Sequence, residues 1–272
     1  MRQLLPLSSF ALLSAALLTA PAFAATNIGD LHCNDANGVA LTLNNVVTIQ
    51  GIVTANQPTG GLNRFYLQDA TGGVNVFGTP QDCTVAVGDE LEVTGTVAQF
   101  NGETEVASTG SAPLVINHLS SGNPVPAPLV ETITDFNNTY QVDNCEPNES
   151  RLVNVGAGYI RTSTGAMPTA GATYAANTNY RLISAGADST TNFATVRVVQ
   201  SANNCNVTNS LVGVPINPGC LTSVNGVIVQ FDSSTPFTTG YQLTPSGAGD
   251  VMPDCAVSTR VSSWGQLKTL YR

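Results

Sequence analysis

The stretch GDELEVTGTVAQF at residues 88–100 recurs as GCLTSVNGVIVQF at residues 219–231, without a gap and at an offset of 131 residues. Both copies alternate apolar and other side chains around a central glycine, and both end on Gln-Phe. Alternation with a period of two predicts a β-strand with one buried face. A repeat spaced this widely indicates a duplicated domain, because solenoid repeats recur roughly every 20 to 50 residues.

The match continues upstream of this strand. RFYLQDA at 64–70 aligns with NYRLISA at 179–185, and VNV at 74–76 aligns with VRV at 196–198. We therefore expect two copies of one unit, the second with longer loops.

Five strands can be read in the first copy from alternation and turn residues. They cover residues 46–54, 64–68, 74–77, 90–98 and 103–107, with the long connection between the third and the fourth. This is the strand order of an OB-fold barrel. Gly, Thr, Val, Asn and Ser dominate and only 10% of residues are charged, a composition that favours strands over helices. The predicted fold is all-β, with two tandem OB-fold-like five-stranded barrels, disulfides and a short C-terminal helix.

The chain divides into five predicted segments. Residues 1–24 have the charged start, the apolar stretch and the Ala-Phe-Ala end of a signal peptide. The first barrel is expected at 25–119 and the second at 130–255, joined by a proline-rich linker at 120–129. Residues 256–272 predict a helical tail with one apolar side.

The signal predicts an exported protein: secreted, periplasmic or at the surface of a bacterial cell, with cleavage after Ala24. The signal's apolar run is too short to span a bilayer, and no other stretch approaches the roughly 20 apolar residues that a spanning helix needs. Without the signal, eight Lys and Arg remain against 18 Asp and Glu. This acidic balance would repel a polyanion, so any contact with nucleic acid must be local.

The mature part contains an even number of cysteines, which in an exported protein predicts three disulfides. They are Cys33, Cys83, Cys145, Cys205, Cys220 and Cys255. No pair has the Cys-x-x-Cys spacing of a redox or zinc site. Among fifteen possible connectivities, the duplication suggests the pairs Cys33–Cys83, Cys145–Cys205 and Cys220–Cys255.

Several segments of the sequence resemble those of a known family. LHCNDANG at 31–38, FYLQDATGG at 65–73 and VGDELEVTGTV at 87–97 are similar to the OB-fold repeats that accompany secreted bacterial nucleases and phosphoesterases. The second copy shares the likeness through ESRLV at 149–153 and YQLTP at 241–245. In that family the repeats are accessory domains. Since the chain ends soon after the second copy, the resemblance implies a stand-alone binding or adaptor protein.

The last residues, SSWGQLKTLYR at 262–272, resemble a Trp-Gly…Leu-Tyr-Arg ending found on exported proteins of environmental bacteria. A sorting or anchoring tag and a helix that plugs one barrel both fit this ending.

OB barrels bind ligands on the face of strands two and three, beside the loop between strands four and five. Alternation sends several polar and aromatic residues to that face, and an aromatic ring beside a guanidinium suits stacking on unpaired bases or on a sugar ring. The predicted ligand-binding residues are Arg64, Tyr66, Gln68, Asn75, Phe77, Phe100, Arg181 and Arg197. In the alignment Arg181 matches Tyr66 and Arg197 matches Asn75. For Tyr66 and Phe77, core packing is the alternative, because an error of one residue in register exchanges the two faces.

No catalytic residue, cofactor or metal site is predicted. His32 and His118 lack a spaced partner for a triad or a metal centre. Glu90, Glu92, Glu103 and Glu105 are expected to point outward into solvent. The predicted function is a secreted non-catalytic module that binds single-stranded DNA or another extracellular polymer, with a secreted nuclease as the expected protein partner. The alternative is an extracellular structural, protein-interaction or glycan-binding protein.

Overall fold

In a computed structural model the described residues are 25–80, 83–109, 113–138, 143–186, 191–200 and 203–255. The predicted signal peptide and the predicted C-terminal helix both lie outside these ranges. Among the described helices, none has the length and apolar character needed to cross a membrane.

The first half of the chain forms a closed barrel. Its strands are β1 (Val46–Asn56), β2 (Leu62–Gln68), β3 (Gly73–Pro80), β4 (Glu90–Phe100), β5 (Glu103–Ala107) and β6 (Val115–Ser120). The hydrogen-bonded order is β1-β2-β3-β5-β4, and β1 also pairs with β4, so five strands close on themselves. β3 and β5 are parallel, and β6 adds to the other edge of β4.

The second half repeats this arrangement. Its elements are β7 (Leu129–Glu131), α1 (Ile133–Asn138), β8 (Leu152–Thr162), β9 (Thr178–Ser184), β10 (Phe193–Val198), β11 (Leu221–Gln230), β12 (Tyr241–Thr244) and β13 (Val251–Asp254). The order β8-β9-β10-β12-β11 closes through the pairing of β11 with β8, while β7 and β13 extend the sheet. Two barrels with one strand order confirm the predicted all-β tandem fold.

The repeated strand forms because its apolar residues all face one core. Leu91, Val93 and Val97 of β4 are fully buried. Gly95 stands in the same row, where a Cβ atom would lie 2.6 Å from the side chain of Leu114. The glycine therefore leaves room for a neighbouring apolar residue to fill the barrel.

Two glycines at equivalent positions allow the first strand of each barrel to pass very close to the second. A Cβ atom on Gly51 would lie 2.6 Å from the backbone oxygen of Gln68. A Cβ atom on Gly158 would lie 2.8 Å from the backbone oxygen of Ile183. Only glycine fits such an approach, which is how a small barrel bends a long strand around its core.

A short helical segment precedes each barrel and helps to fill its core. The 3-10 turn Ile28–Leu31 buries both of its end residues in the first core. α1 buries Ile133 and Phe136 in the second.

Two of the three disulfides join the two halves, in a pairing that the repeat did not reveal. The bonds are Cys33–Cys145, Cys83–Cys205 and Cys220–Cys255. The expected bonds from Cys33 to Cys83 and from Cys145 to Cys205 are wrong, whereas the bond from Cys220 to Cys255 is confirmed. Cys83 and Cys205 lie in corresponding connections, between the third and fourth strands of each barrel, and these connections meet because the barrels contact each other. The alignment shows the correspondence, but not this contact.

Cutting the linker should leave the halves covalently joined. A protease recognition sequence can be inserted after Gly122, where an added Cβ atom would meet nothing within 4 Å. After cleavage we expect one species on a denaturing gel without reductant and two fragments with reductant. The uncut insertion variant is the control, and it should stay one species in both conditions. Two fragments without reductant would show that the bonds lie within each barrel.

Candidate functional site

The two barrels contact each other through part of the face that the sequence assigned to a ligand. Tyr66 is fully buried, and it packs against Val227 and Val229 of the second barrel. Gln68 is also buried, and its Oε1 accepts a hydrogen bond of 3.0 Å from the backbone N–H of Leu152. The assignment of Tyr66 and Gln68 to an open ligand surface is therefore corrected. Their faces were read correctly from alternation, but the second barrel covers them.

Beside this contact the barrels leave a cleft of about 450 Å³. This volume falls within the roughly 300 to 1,000 Å³ typical of small-ligand sites. Five of the eight predicted ligand-binding residues line it, namely Arg64, Asn75, Phe77, Phe100 and Arg197. The cleft is the candidate site because it unites residues of both copies in one cavity.

Arg181 is not brought to this cleft. Its guanidinium stacks on the ring of Phe193, with 4.1 Å between the guanidinium carbon and the ring centroid. Arg181 pairs across strands with Thr195, and both lie on the outward face of β9 and β10. The aligned partners Tyr66 and Arg181 thus share a strand position but have different surroundings.

The strand register corrects one equivalence. In both barrels the third strand pairs with the fifth at a matched valine, Val76 in β3 and Val196 in β10. In each barrel, the fifth-strand residue that pairs with this valine also pairs with a residue of the fourth strand. These two fourth-strand residues are 131 positions apart, which is the offset of the repeat. Phe77 and Arg197 follow these valines. Arg197 is therefore the counterpart of Phe77, and not of Asn75 as the ungapped alignment placed it.

Equivalent residues of the two barrels face the cleft together. Phe100 ends β4, and Phe231, 131 residues later, directly follows β11. Their side chains are 64% and 58% exposed although both are large and apolar. Glu105 of β5 and Gln242 of β12 form a second equivalent pair in the lining. The two barrels thus present the same edge to one cavity, as in an interface with approximate two-fold symmetry.

A charged group lies on the first-barrel wall of the cleft. Nη2 of Arg64 donates a hydrogen bond of 2.5 Å to the Tyr66 hydroxyl and lies 3.4 Å from Oε2 of Glu103. Burial raises the pKa of Glu103. Burial, together with the neighbouring charge of Glu103, raises the pKa of Glu105 to about 7. Near neutral pH this carboxyl pair can therefore hold a proton opposite the Arg64 guanidinium.

The expectation that Glu103 and Glu105 face solvent is wrong. Both point away from the core of their own barrel, but they are only 4% and 8% exposed. Their partners lie on neighbouring strands of the same barrel: Glu103 meets Arg64 of β2 at 3.4 Å, and Glu105 accepts a hydrogen bond of 3.5 Å from Asn75 of β3. The sequence offered one signal, the Glu-Thr-Glu spacing, which places both carboxylates on one face of a strand.

Three oxygen atoms of cleft residues are buried without a hydrogen bond among the described residues. They belong to Asn75 (Oδ1), Glu103 (Oε1) and Gln230 (Oε1). The amide nitrogen of Gln230 donates to the backbone oxygen of Thr239 at 3.0 Å, which leaves the oxygen of this amide as the unpaired acceptor. A buried acceptor without a donor costs about 1 to 3 kcal/mol. These three oxygens have almost no accessible surface, so a ligand in the cleft does not contact them directly.

The structure also contains a buried histidine–carboxylate pair that the sequence did not predict. His32 and Glu149 are both fully buried, with 2.9 Å between Nδ1 and Oε2. Nε2 of His32 lies 2.5 Å from the backbone oxygen of Gly73. Burial lowers the pKa of His32 and raises that of Glu149, which favours the neutral forms. The pair joins the N-terminal segment to the second half, and the 117 residues between its members left no local pattern to detect.

Ser121, His118 and Asp89 also come together, yet not with the geometry of a catalytic triad. The Ser121 hydroxyl lies 3.0 Å from Nε2 of His118, and Oδ1 of Asp89 lies 3.3 Å from the same nitrogen. In a triad the carboxylate holds one ring nitrogen while the serine contacts the other. Here the serine donates directly to the aspartate at 2.7 Å, which describes a surface hydrogen-bond cluster.

Comparison with known proteins gives one informative similarity. No protein-family model matches the chain. The chain is 35% identical over 128 residues to the endonuclease YhcR of Bacillus subtilis (strain 168), and this match covers 46% of the chain and 10% of that protein. Among solved structures, a Leishmania major Friedlin protein described as an aspartyl-tRNA synthetase aligns with a TM-score of 0.30 and 12% identity, over 48% of this chain and 27% of that one. A TM-score this low does not establish a shared fold. The similarity to part of a nuclease, together with two closed five-stranded barrels, fits OB-fold-like repeats.

Proposed function

We propose that this protein is an exported, non-catalytic module that binds single-stranded DNA in the cleft between its barrels. One observation supports this proposal above the others. Two equivalent exposed phenylalanines, Phe100 and Phe231, reach one cavity from the two barrels, together with Arg64 and Arg197.

Aromatic rings suit unpaired bases because every base has a flat face on which a ring can stack. A duplex hides these faces and is held instead through phosphates, which requires a basic surface. This chain is acidic overall, but Arg197 supplies a positive charge in the cleft. Nη1 of Arg197 is positioned by a hydrogen bond of 3.1 Å to Asn179. The balance therefore favours a single strand held by stacking and by local arginine contacts.

The proposal also includes a protein partner and a cellular location. The similarity to part of a protein named an endonuclease supports a working association with an exported nuclease. Three disulfides suit an oxidising compartment outside the cytoplasm. We propose that the module holds a strand while its partner cuts or processes it.

Replacing Phe100 and Phe231 together with alanine should weaken binding of a fluorescent oligothymidylate at least about tenfold. Base–aromatic stacking contributes about 1 to 3 kcal/mol per base. Fluorescence anisotropy measures the affinity. The Leu41→Ala, Val130→Ala double variant is the control, since it removes exposed apolar side chains outside the cleft lining. Unchanged affinity in the phenylalanine variant would contradict binding in the cleft.

An extracellular structural or protein-interaction role is the second candidate. Apolar side chains are exposed on the two added strands, at Val115 and Leu119 of β6 and at Leu129 and Val130 of β7. The aromatic cleft could also stack on the sugar rings of a glycan. A glycan ligand would be favoured if the protein binds no oligonucleotide but binds a soluble polysaccharide, and if the Phe100→Ala, Phe231→Ala variant loses that binding. The absence of both would favour a protein partner.

A further inference from the structure

The polar wall of the cleft is rich in hydrogen-bond acceptors. Asn75, Glu103 and Gln230 are at most 4% exposed, and each has a side-chain oxygen that bonds to nothing among the described residues. Glu105, 8% exposed, adds a second carboxyl to the same lining. These three oxygens themselves have almost no accessible surface, so Glu105, the most exposed of the four side chains, is the acceptor that a ligand in the cleft can contact.

The charged donors of the cleft are its two arginines. A guanidinium carries five N–H donors in a planar fork. Nη2 of Arg64 contacts Tyr66 and Glu103, and Nη1 of Arg197 contacts Asn179. The lining therefore combines carboxylate and amide acceptors with guanidinium donors, between aromatic rings.

Guanine is the base that complements this combination. Its N1–H and 2-amino group are adjacent donors that one carboxylate can accept together, and its O6 and N7 are adjacent acceptors that suit an arginine fork. Adenine and cytosine each carry one amino group beside a ring acceptor. Thymine carries a single N–H between two carbonyl oxygens, so it offers a carboxylate one donor where guanine offers two adjacent donors.

Building on the proposed function, we propose that the inter-barrel cleft selects guanine among unpaired bases. The carboxylate of Glu105 contacts its donor edge, and Arg64 or Arg197 contacts O6 and N7. Phe100 and Phe231 hold the ring by stacking, which any base permits. Stacking thus supplies affinity, while Glu105 and the arginine supply the choice of base, because a site that hydrogen-bonds its ligand rejects analogues that lack the donor.

The test uses oligothymidylates with one variable central base, bound to the full mature protein. A central guanine should bind about tenfold or more tightly than a central thymine, adenine or cytosine. A central hypoxanthine, which is guanine without the 2-amino group, should lose most of this gain. Glu105→Gln should abolish the preference for guanine over hypoxanthine but keep the affinity for thymine. Glu92→Gln, on the outer surface of β4, is the control and should keep the full preference.

The outcomes separate this inference from the proposed function. Equal affinity for all central bases, with binding lost in the Phe100→Ala, Phe231→Ala variant, would overturn guanine selection and leave single-strand binding in place. Equal affinity for guanine and hypoxanthine would also overturn it, because the donor edge would then not be read. The absence of binding to every oligonucleotide would overturn both proposals. Thermal melting of each variant verifies that it is folded.

Discussion

Replacing Cys33 and Cys145 together with alanine is expected to lower the free energy of unfolding by about 5 kcal/mol. The bond closes a loop of 112 residues between the two halves, and chain-entropy arguments assign about 5 kcal/mol to a loop of that length. The loss should be larger still if the neighbouring contacts loosen, because Asn34 donates to Oε2 of Glu146 at 2.7 Å directly beside the bond. Denaturation by guanidinium chloride without reductant measures the effect.

The matched control is the Cys220→Ala, Cys255→Ala variant. Its bond spans 35 residues within the second half, so its removal should cost about 1 kcal/mol less. Since the Cys83–Cys205 bond remains in both variants, the halves stay covalently joined throughout. A smaller loss in the Cys33 and Cys145 variant than in the control would show that the inter-barrel bond does not restrict the unfolded chain as proposed.

The protein should be more stable near pH 5 than near pH 8, with Glu105 and Glu146 as the main cause. Burial raises the pKa of each carboxyl to about 7, against an ordinary value of about 4.5. Below pH 4.5 both states hold the protons. As the pH rises toward 7 the unfolded state loses its protons first, so stability falls, and above 7 the loss is complete. At about 1.4 kcal/mol per pKa unit, each group contributes a loss of up to about 3 kcal/mol.

His32 acts in the opposite direction, because burial lowers its pKa and the unfolded state gains a proton below about pH 6.5. Comparison with variants therefore isolates the carboxyl effect. Glu105→Gln should be more stable than the wild type at pH 8 and about equal to it at pH 4.5, as measured by urea denaturation. Glu90→Gln should show no such gain, since hydrogen bonds from Ser120 and Gln50 lower the pKa of Glu90. Parallel pH profiles for Glu105→Gln and the wild type would refute the assignment.

These carboxyls show where reading the sequence succeeded and where it could not. β5 was predicted at residues 103–107 and spans Glu103–Ala107. Alternation also placed Glu103 and Glu105 outside the core of their barrel, as the structure shows. The prediction that this outer face is solvated is wrong, because Arg64 and Asn75 contact the two carboxyls from strands whose packing against β5 is not visible in local alternation.

For the disulfides too, the sequence predicts one part and the tertiary structure decides the other. The even cysteine count and the absence of paired spacing predicted three bonds, and three are present. Which cysteines pair depends on how two folded barrels are placed against each other. The duplication placed Cys83 and Cys205 in corresponding connections, but such connections are joined only when the two copies contact each other near them.

By itself the sequence determined the barrels, with their number and strand order, and it named five of the residues that line the cleft, but it left open whether Tyr66 and Phe77 face the core. It could do so because side-chain alternation and the 131-residue repeat reflect contacts within one unit, which recur at short and regular spacing. Only the tertiary structure decided that Tyr66 and Gln68 are covered, that Glu103 and Glu105 are enclosed, and that a cleft forms at all. These depend on contacts between residues far apart in the chain, and no local periodicity records which outward face another barrel will bury.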